Sequence, residues 1–535
     1  MASTADIIAR RLYEAGCRHA FGIPGGEVLR LVKGLTENGI SFGLTRHENA
    51  AGFMAEGTYH ASGAPGILVA TLGPGVANAV NVVANAYQDR VPLIFLTGCV
   101  DAGEALTFTH QIFDHRVLLA PITKATFTAV DGAVDVVIDK AVSIALDDQP
   151  GPVLVDVPID LASAEQPDTP PTQRVRPTRG GPPAGADLER ARDWLREAER
   201  PLMIAGVEVL DHGAETAVAG FAERHGIPVL TTYKAKGVLS EDHGLSMGAA
   251  GLSPKADAQL LDLIGQSDLI LLAGYDPIEM RAGWRNPWPA GTRVIELCAV
   301  ANTHYMHQAG VSFIGDVGAG LAALDGDVRK VDNWPGGEPA ATRAALHAAF
   351  AAEEEWGPGA VIEVARRVLP RDTLAAVDTG AHRILLNQMW QCYEPRTLLQ
   401  STGLCTMGCA LPLAMGYKLV QPDRTTVAFV GDAGLEMVLG ELATLRDLAL
   451  PLIVVVFVDK SLALIELKQR DMGYANTGVD FGASDFPAVA QAFDLHGVWA
   501  DNREVLANEL SQAMERNKAT LIACPIGRRP YDGRF

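Results

Sequence analysis

The chain has 535 residues, of which 48% are hydrophobic and 20% are charged, and this composition is typical of a globular protein with several domains. Its formal net charge of −20 argues against a general affinity for nucleic acid or for anionic membranes, because like charges repel. An anionic substrate would need a locally basic pocket.

The first residues predict an amphipathic helix capped near Ser3 or Thr4, without the continuous apolar core of a signal peptide. The longest apolar run, 448–458, is much shorter than the roughly 20 residues of a membrane helix and predicts a buried strand. The seven cysteines are odd in number and scattered through apolar surroundings, which favours reduced thiols over disulfides or a zinc site. We therefore expect a cytoplasmic protein.

Two segments without hydrophobic periodicity predict linkers, 165–186 and 325–337, and an alanine-rich helix follows the second. They divide the chain into blocks 1–165, 187–325 and 355–535, each the size of one domain. Every block alternates apolar, β-branched runs with helical patterns, which is typical of parallel sheets covered on both faces. The sequence thus predicts an α/β protein with three doubly wound parallel-sheet domains.

The first and third blocks resemble each other. In the first, Gly73-Pro74-Gly75 opens a helical stretch that ends before Pro92. In the third, Gly431-Asp432-Ala433-Gly434 opens a stretch that ends before Pro451. The spacings 92 − 75 and 451 − 434 both equal 17. The match suggests two related domains that form one functional pair, although common α/β unit lengths also explain it.

The strongest local signal is Gly431-Asp432-Ala433-Gly434, followed by Asp459 and Ser461 after the next apolar strand, with 459 − 432 = 27 positions between the aspartates. A strand–helix–strand unit of that length brings two parallel strand ends together, where ligands bind in such folds. Two carboxylates and the Ser461 carbonyl suit Mg²⁺, and the glycines give an anion access to a helix N-terminus. Taken singly, Asp432 is better explained as a helix cap and Asp459 as a turn residue. The spacing, the two apolar strands and the glycine pair together favour the metal site.

This arrangement resembles the Gly-Asp-Gly…Asn motif of thiamine-diphosphate (ThDP)-dependent enzymes. The resemblance implies that Mg²⁺ is held by Asp432, Asp459 and Ser461, and that the cofactor diphosphate also meets Gly431, Ala433 and Gly434. Ala433 replaces the second glycine of the motif. Asp459 replaces the Asn, which keeps an oxygen ligand and adds a charge.

Arg46-His47-Glu48 precedes a helix of small residues and resembles the family segment whose glutamate hydrogen-bonds N1′ of the ThDP aminopyrimidine. The resemblance implies that Glu48 is catalytic, because a carboxyl group there favours the imino tautomer whose N4′ deprotonates thiazolium C2. From the residues alone, Glu48 is an acidic residue in the first turn of a helix.

Two further segments resemble the family's cofactor site. In 403–412, which is similar to G-x-x-T-M-G-x-x-L-P, Met407 would lie beneath the bent cofactor and the Cys405 carbonyl would accept from N4′. Outside this motif Met407 would be a core methionine. The turn 378–382 resembles a second diphosphate contact, with Gly380 and His382 as candidates. Because the family places the glutamate and the diphosphate site on different subunits, the resemblance implies a homodimer or homotetramer.

The resemblance spans nearly the whole chain and is closest to the acetolactate synthase group, through segments 21–26, 73–78, 121–124 and 388–390. It implies pyrimidine-binding, central and diphosphate-binding domains and a 2-oxo acid substrate such as pyruvate. Candidate substrate contacts are Gly25, Gly26, Asn78 and Arg281, with Gln111 and His110 as further catalytic residues. A surface loop is the alternative for Gln111 and His110, and a surface salt bridge for Arg281.

Some residues depart from that group. Segment 461–469 lacks its specificity-setting Trp, so the acceptor pocket is expected to differ. Ala205-Gly206-Val207 replaces a glycine triplet, and 295–298 replaces an acidic strand end, which makes FAD doubtful. Gly248-Ala249-Ala250-Gly251 is either an ADP-like ligand site or a turn.

Three other functions compete with this interpretation. The first is a non-ligating 2-oxo acid decarboxylase or another carbon–carbon lyase of the same family. The second is a nucleotide-dependent oxidoreductase, which the lack of a clean G-x-G-x-x-G with a matching acidic residue disfavours. The third is an inactive relative, which Glu48, Asp432 and Asp459 disfavour.

Overall fold

The computed structural model describes residues 2–167, 178–278, 280–281, 283–326 and 333–535. The described residues contain three six-stranded sheets, one in each predicted block, and a separate two-stranded pair. All strand pairs within the large sheets are parallel. The predicted α/β class with three parallel-sheet domains is confirmed.

The N-terminal domain holds strands β1 to β8 and helices α1 to α7. The strands are Ala2–Ser3, His19–Ile23, Ser41–Leu44, Gly66–Ala70, Leu93–Cys99, Ala125–Thr128, Pro152–Pro158 and Glu165–Gln166. The helices are Thr4–Glu14, Leu29–Glu37, Glu48–Ser62, Pro74–Gln88, His115–Leu119, Val134–Leu146 and Ile159–Ser163. The sheet order is β3-β2-β4-β5-β7-β6, and β1 pairs antiparallel with β8. Ser3 caps α1, as the sequence predicts, by accepting from the Asp6 N–H.

The central domain holds strands β9 to β14 and helices α8 to α12. The strands are Pro201–Ala205, Val229–Thr232, Ser246–Ala250, Leu269–Ala273, Arg293–Cys298 and Val311–Ile314. The helices are Ala186–Glu197, Val207–Asp211, Glu215–His225, Pro254–Gly265 and Val317–Asp325. The sheet order is β11-β10-β9-β12-β13-β14, so the order reverses between β9 and β12. The alanine-rich helix α13, Glu338–Ala349, follows this domain.

The C-terminal domain holds strands β15 to β20 and helices α14 to α21. The strands are Leu374–Val377, Leu398–Leu399, Thr426–Gly431, Ile453–Val458, His496–Trp499 and Thr520–Pro525. The helices are Pro358–Val368, Ala381–Met389, Ala410–Val420, Asp432–Met437, Glu441–Asp447, Ala463–Asp471, Phe486–Ala492 and Arg503–Glu515. The sheet order is β16-β15-β17-β18-β20-β19.

Both faces of the C-terminal sheet are buried. Along β17 and β18, Phe429 and Phe457 pack into one hydrophobic cluster, whereas Val430 and Val456 pack into another on the opposite face. Successive side chains of a strand point to opposite faces, so a continuously apolar strand requires cover on both sides. This burial explains the unbroken apolar runs in the sequence.

The N-terminal and C-terminal domains meet through α3 and α16. A Cβ on Gly57 would lie 2.3 Å from the Leu413 carbonyl oxygen, and a Cβ on Gly416 would lie 1.9 Å from that of Met54. Only glycine permits such close approach of two helix backbones. The contact fixes the domain that carries Glu48 against the domain that carries Asp432.

The structure differs from the sequence prediction in several details. The run 448–458 is a strand only over Ile453–Val458, because α18 and a left-handed turn at Ala449 precede it. The helical stretch after Gly431 is two helices, α17 and α18. Glu165 and Gln166, predicted as linker, form β8. Trp334, also predicted as linker, is buried and its Nε1–H donates to the Pro201 carbonyl over 2.8 Å.

Parts of both predicted linkers, 168–177 and 327–332, lie outside the described residues. All seven cysteines are free thiols, as predicted. No helix in the described part of the chain has the length and apolarity needed to cross a membrane.

Candidate active site

Asp432 and Asp459 lie at the ends of the neighbouring parallel strands β17 and β18. Oδ2 of Asp432 accepts main-chain hydrogen bonds from Asp459 over 3.1 Å and from Lys460 over 2.7 Å. Its Oδ1 accepts from the Ala433 N–H over 2.9 Å, and Oδ1 of Asp459 accepts from the Ser461 N–H over 3.0 Å. Two carboxyl groups therefore share one strand-end site.

Burial and mutual repulsion make this pair costly to ionise. Burial raises the pKa of Asp432. Burial, together with the Asp432 charge, raises the pKa of Asp459 to about 8. A divalent cation between the two groups would offset the repulsion. Among the described residues, no group of three His, Cys, Asp or Glu side chains could hold a metal ion. The remaining ligands of a cation here would therefore be main-chain, solvent or phosphate oxygens, all of which Mg²⁺ binds.

Asp378, at the end of β15, joins this site to the loop that carries Met407. The residue is fully buried, and its two oxygens accept from the main-chain N–H groups of Gly408 over 2.9 Å and of Cys409 over 3.0 Å. A Cβ on Gly434 would lie 2.0 Å from Asp378 Oδ2. Gly434 is therefore required for α17 to pack against this carboxyl group.

Cys405 and Met407 are half-buried in the loop before α16. Cys405 adopts a left-handed backbone with φ of 55°, and its thiol donates to the Thr402 carbonyl over 3.1 Å. The buried guanidinium of Arg383 donates to the Ser401 carbonyl over 2.6 Å and to Cys405 Sγ over 3.3 Å. A cation thus lies beside the proposed aminopyrimidine contact.

His382 lies between the turns at Gly380 and Gly431. A Cβ on Gly380 would lie 2.6 Å from its Cε1, and a Cβ on Gly431 would lie 3.2 Å from the same atom. The ring stacks on Phe457 with a centroid separation of 5.1 Å. Burial, with a contribution from Arg383, lowers the pKa of His382 to about 3, so the imidazole is neutral.

Glu48 is the first residue of α3, and only 5% of its surface is exposed. Its Oε2 accepts a hydrogen bond from Asn78 Nδ2 over 3.0 Å. A Cβ on Gly75 would approach Oε1 to 3.4 Å, so α4 begins directly beside the carboxyl group. Two residues earlier, the Arg46 N–H donates to Oε1 of the buried Glu441 over 3.0 Å, which anchors the start of α3 to the C-terminal domain.

Gln111 and His110 lie on an exposed segment between β5 and α5. Gln111 has a left-handed backbone with φ of 58°. A Cβ on Gly73 would lie 2.2 Å from the carbonyl oxygen of Gln111. In the single chain both side chains belong to a surface loop, the alternative that the sequence left open. That loop nonetheless touches the turn next to Glu48 and borders a cavity of about 710 Å³.

The other proposed substrate residues belong to the N-terminal and central domains. A Cβ on Gly25 would lie 2.3 Å from Thr71 Oγ1, so Gly25 packs against Thr71. Gly26 is exposed. Asn78 contacts Glu48, as described above. Arg281 is exposed on the central domain, where its N–H donates to the Gly251 carbonyl over 3.2 Å.

Comparison with known proteins gives a consistent result over the whole chain. Residues 2–117, 188–324 and 378–524 match the N-terminal TPP binding, central and C-terminal TPP binding domains of thiamine pyrophosphate enzymes. The chain is 30% identical to a probable 2-ketoarginine decarboxylase of Pseudomonas aeruginosa, over 97% of this chain and 93% of that protein. The chain belongs to the thiamine pyrophosphate enzyme family.

The chain is also similar to acetolactate synthases. The Bacillus subtilis enzyme is 28% identical over 98% of this chain and 93% of its own length. The acetolactate synthase large subunit of Parasynechococcus marenigrum is 29% identical over 97% of this chain and 87% of its own length. At this level of identity the comparisons give the cofactor class and the 2-oxo acid chemistry of the family, not one reaction.

Buried polar atoms near the strand ends fit a bound diphosphate and cation. Nε2 of His382, Oγ1 of Thr379 and the hydroxyl of Tyr531 are buried and have no hydrogen-bond partner within the described residues. Burial and the charges of Asp459 and Asp432 raise the pKa of Tyr531, which therefore lies near both carboxyl groups. Because buried polar groups are nearly always paired, these atoms suit a polar ligand such as a diphosphate with Mg²⁺.

The main chain is closely packed at the switch point of the central domain. A Cβ on Gly206, after β9, would lie 2.3 Å from the Gly274 carbonyl oxygen after β12, so the two main chains touch where a ligand would enter. The buried Glu208 carboxyl accepts from the Ala299 N–H over 2.8 Å. Burial raises the pKa of Glu208 to about 8. A buried acidic side chain therefore lies at this strand-end crevice.

Sequence reasoning placed Asp378 in the turn 378–382 without giving it a role, and it missed Arg383 and Glu441. Asp378 follows an apolar strand as Asp432 does, and that parallel is a signal that would have singled it out. Arg383 contacts Cys405, which is 22 positions away, and Glu441 contacts Arg46, which is 395 positions away. Nothing in their local sequence identifies those partners.

Proposed function

We propose that this protein is a ThDP- and Mg²⁺-dependent enzyme that decarboxylates a 2-oxo acid such as pyruvate and transfers the remaining fragment to an acceptor, as acetolactate synthases do. The observation that carries the proposal is the adjacent pair Asp432 and Asp459 beside buried polar atoms that have no hydrogen-bond partner in the described part of the chain. Family membership and the acetolactate synthase relatives support it.

In this proposal the strand-end residues hold the cofactor. Asp432, Asp459 and the Ser461 carbonyl bind Mg²⁺. The backbone of 431–434 and the turn with Gly380 and His382 bind the diphosphate at the start of α17, where the helix dipole favours an anion. Met407 would lie beneath the cofactor, and the Cys405 carbonyl would accept a hydrogen bond from its amino group.

Glu48 supplies the activating carboxyl group. When bound, ThDP supplies an electron sink for the pair released as the substrate carboxylate leaves as CO₂. Glu48 shares a proton with N1′ of the aminopyrimidine, and Asn78 fixes the direction of the carboxyl group. Gln111 and His110 contact substrate oxygens from their loop, Gly25 and Gly26 line the approach, and Arg281 meets a substrate carboxylate.

A non-ligating decarboxylase is the second candidate. Segment 461–469, which forms most of α19, has no Trp, and one relative with 30% identity is named a probable 2-ketoarginine decarboxylase. Both observations favour a different acceptor pocket or the absence of an acceptor. The same cofactor site serves either reaction.

The assembly and the central domain complete the proposal. We propose at least a homodimer, with a homotetramer as the alternative, because the family resemblance implies that each site is completed by two subunits. We also propose that the central domain does not bind FAD, because the acidic Glu208 and two closely packed main chains lie at its switch point. The cytoplasmic location stays a prediction.

The test is a product analysis with purified protein. The protein is incubated with ThDP, Mg²⁺ and individual 2-oxo acids, and CO₂ and products are followed by mass spectrometry. Carboligated acids would support the first candidate, and free aldehydes the second. Absence of CO₂ release from every 2-oxo acid, with ThDP demonstrably bound, would refute both. The absorbance spectrum of the same sample tests the flavin proposal, which a bound flavin would contradict.

A further inference from the structure

His115, the first residue of α5, links the Gln111 loop to the turn that begins α4. Its Nδ1 lies 3.0 Å from Asp156 Oδ1, and its Nε2 accepts a hydrogen bond from the Gly73 N–H over 3.1 Å. Both His115 and Asp156 have only 5% of their surface exposed. The imidazole thus joins three separate segments in the interior of the N-terminal domain.

These contacts define the tautomer of His115. Because Nε2 accepts a hydrogen bond from the Gly73 N–H, it must carry a lone pair and no proton. The ring proton therefore resides on Nδ1, which donates it to the Asp156 carboxylate. Asp156 therefore orients the ring and keeps Nε2 available as the acceptor. Ring protonation at Nε2 would remove the acceptor and turn the contact with the Gly73 N–H into a repulsive one.

The Gly73 turn touches Gln111 directly and is linked to Glu48 through Asn78. On one side a Cβ on Gly73 would lie 2.2 Å from the Gln111 carbonyl oxygen. On the other side, Asn78, little more than one helical turn along α4, donates to Glu48 Oε2 over 3.0 Å. A shift of the turn would therefore move Gln111 and the donor to Glu48 together.

We infer that His115 and Asp156 are positioning residues for the active site, and that the imidazole acts by holding the Gly73 amide. The inference rests on the proposed function. The left-handed backbone of Gln111, with φ of 58°, is unfavourable for a non-glycine residue, and the His115 contact helps to hold it. Neither residue contacts the proposed cofactor site directly, so their effect passes through Gln111 and Asn78.

Two substitutions separate positioning from simple packing. His115→Phe keeps a ring but removes both hydrogen bonds, whereas His115→Gln can place Oε1 near the former Nε2 and accept from Gly73. For His115→Phe we expect kcat to fall about 10- to 100-fold while ThDP affinity changes by less than about threefold, since a displacement of about 1 Å can cost that much rate. His115→Gln is expected to recover most of kcat.

A partly buried pair in another domain provides the control. His225 Nε2 lies 2.8 Å from Asp325 Oδ1 in the central domain. His225→Phe should lower the thermal midpoint without the kcat loss. Equal kcat losses in His115→Phe and His115→Gln, or wild-type kcat in His115→Phe, would overturn the inference. Failure of the wild-type chain to bind ThDP would instead count against the proposed function.

Discussion

The main-chain N–H of Asp459 donates to Oδ2 of Asp432 over 3.1 Å, so two carboxyl groups of neighbouring strands share one small site. Burial and the Asp432 charge raise the pKa of Asp459 to about 8. Because the folded pKa lies above that of the unfolded chain, the folded metal-free protein holds this proton at neutral pH. Proton loss above that pKa then exposes the repulsion between the two groups.

This relationship predicts a pH-dependent stability of the metal-free protein. The folded state binds the proton more tightly than the unfolded chain, so the Asp459 contribution lowers the free energy of unfolding as pH rises from about 4 to about 8. Denaturant titrations across that range measure the trend. In Asp459→Asn the decline should be smaller, and an identical decline in both proteins would contradict the prediction.

Mg²⁺ binding should release the same proton. Since the cation needs an ionised carboxylate, the apparent Mg²⁺ affinity in the presence of ThDP should rise with pH, by up to roughly tenfold per pH unit below about pH 8. Calorimetry in buffers of different ionisation enthalpy gives the number of protons released. Asp459→Asn, which keeps an oxygen ligand, should release fewer, and equal release in both proteins would contradict the prediction.

Asp432→Ala should abolish Mg²⁺-assisted ThDP binding. The substitution removes the acceptor for three main-chain N–H groups as well as a metal ligand, so the free energy of unfolding should also fall by about 1–3 kcal/mol. Asp316→Ala removes the cap of α12 in the central domain and controls for lost stability. Unchanged ThDP affinity in Asp432→Ala would refute the metal assignment.

Glu48→Gln should retain ThDP and lose most turnover. The amide can still hydrogen-bond but cannot share a proton in the same way, so kcat should fall about 10²- to 10⁴-fold, as expected for the loss of a general acid–base group. Glu37→Gln, at the end of α2 on the surface of the same domain, is the matched control. Full activity in Glu48→Gln would contradict the proposed role of Glu48 in activating the cofactor.

The two small residues after Asp432 should respond differently to substitution. Gly434→Ala would place a methyl group 2.0 Å from Asp378 Oδ2 and push this carboxyl group away from the Gly408 and Cys409 amides. We expect a loss of about 1–3 kcal/mol in stability and weaker ThDP binding. Ala433→Gly should cost about 0.5–1 kcal/mol and leave ThDP affinity nearly unchanged. Calorimetry measures the ThDP affinity of both variants, and denaturant unfolding measures their stability. A larger loss in Ala433→Gly than in Gly434→Ala would contradict the packing argument.

The fold and the meeting of Asp432 with Asp459 were predictable because they depend on local signals. Apolar runs without alternation give parallel strands, and the distance from Asp432 to Asp459 is that of one strand–helix–strand unit. The same logic located Glu48 at the start of α3. Each of these predictions needs only neighbouring residues and the general geometry of parallel sheets.

Contacts between distant segments were not predictable in this way. Trp334 looks like part of a linker, but its ring is buried and its N–H reaches Pro201. His115 shows no motif, because its partners Gly73 and Asp156 are 42 and 41 positions away. Tertiary packing decides both positions. The break between α17 and α18, by contrast, has a local signal in Gly440, the residue before α18.

The most direct test of the account is a calorimetric titration of ThDP into the metal-depleted full-length chain, with and without Mg²⁺. We predict saturable binding of about one ThDP per chain that depends on Mg²⁺ and disappears in Asp432→Ala. Wild-type protein that binds no ThDP at saturating Mg²⁺, or binds it equally well in Asp432→Ala, would contradict the account.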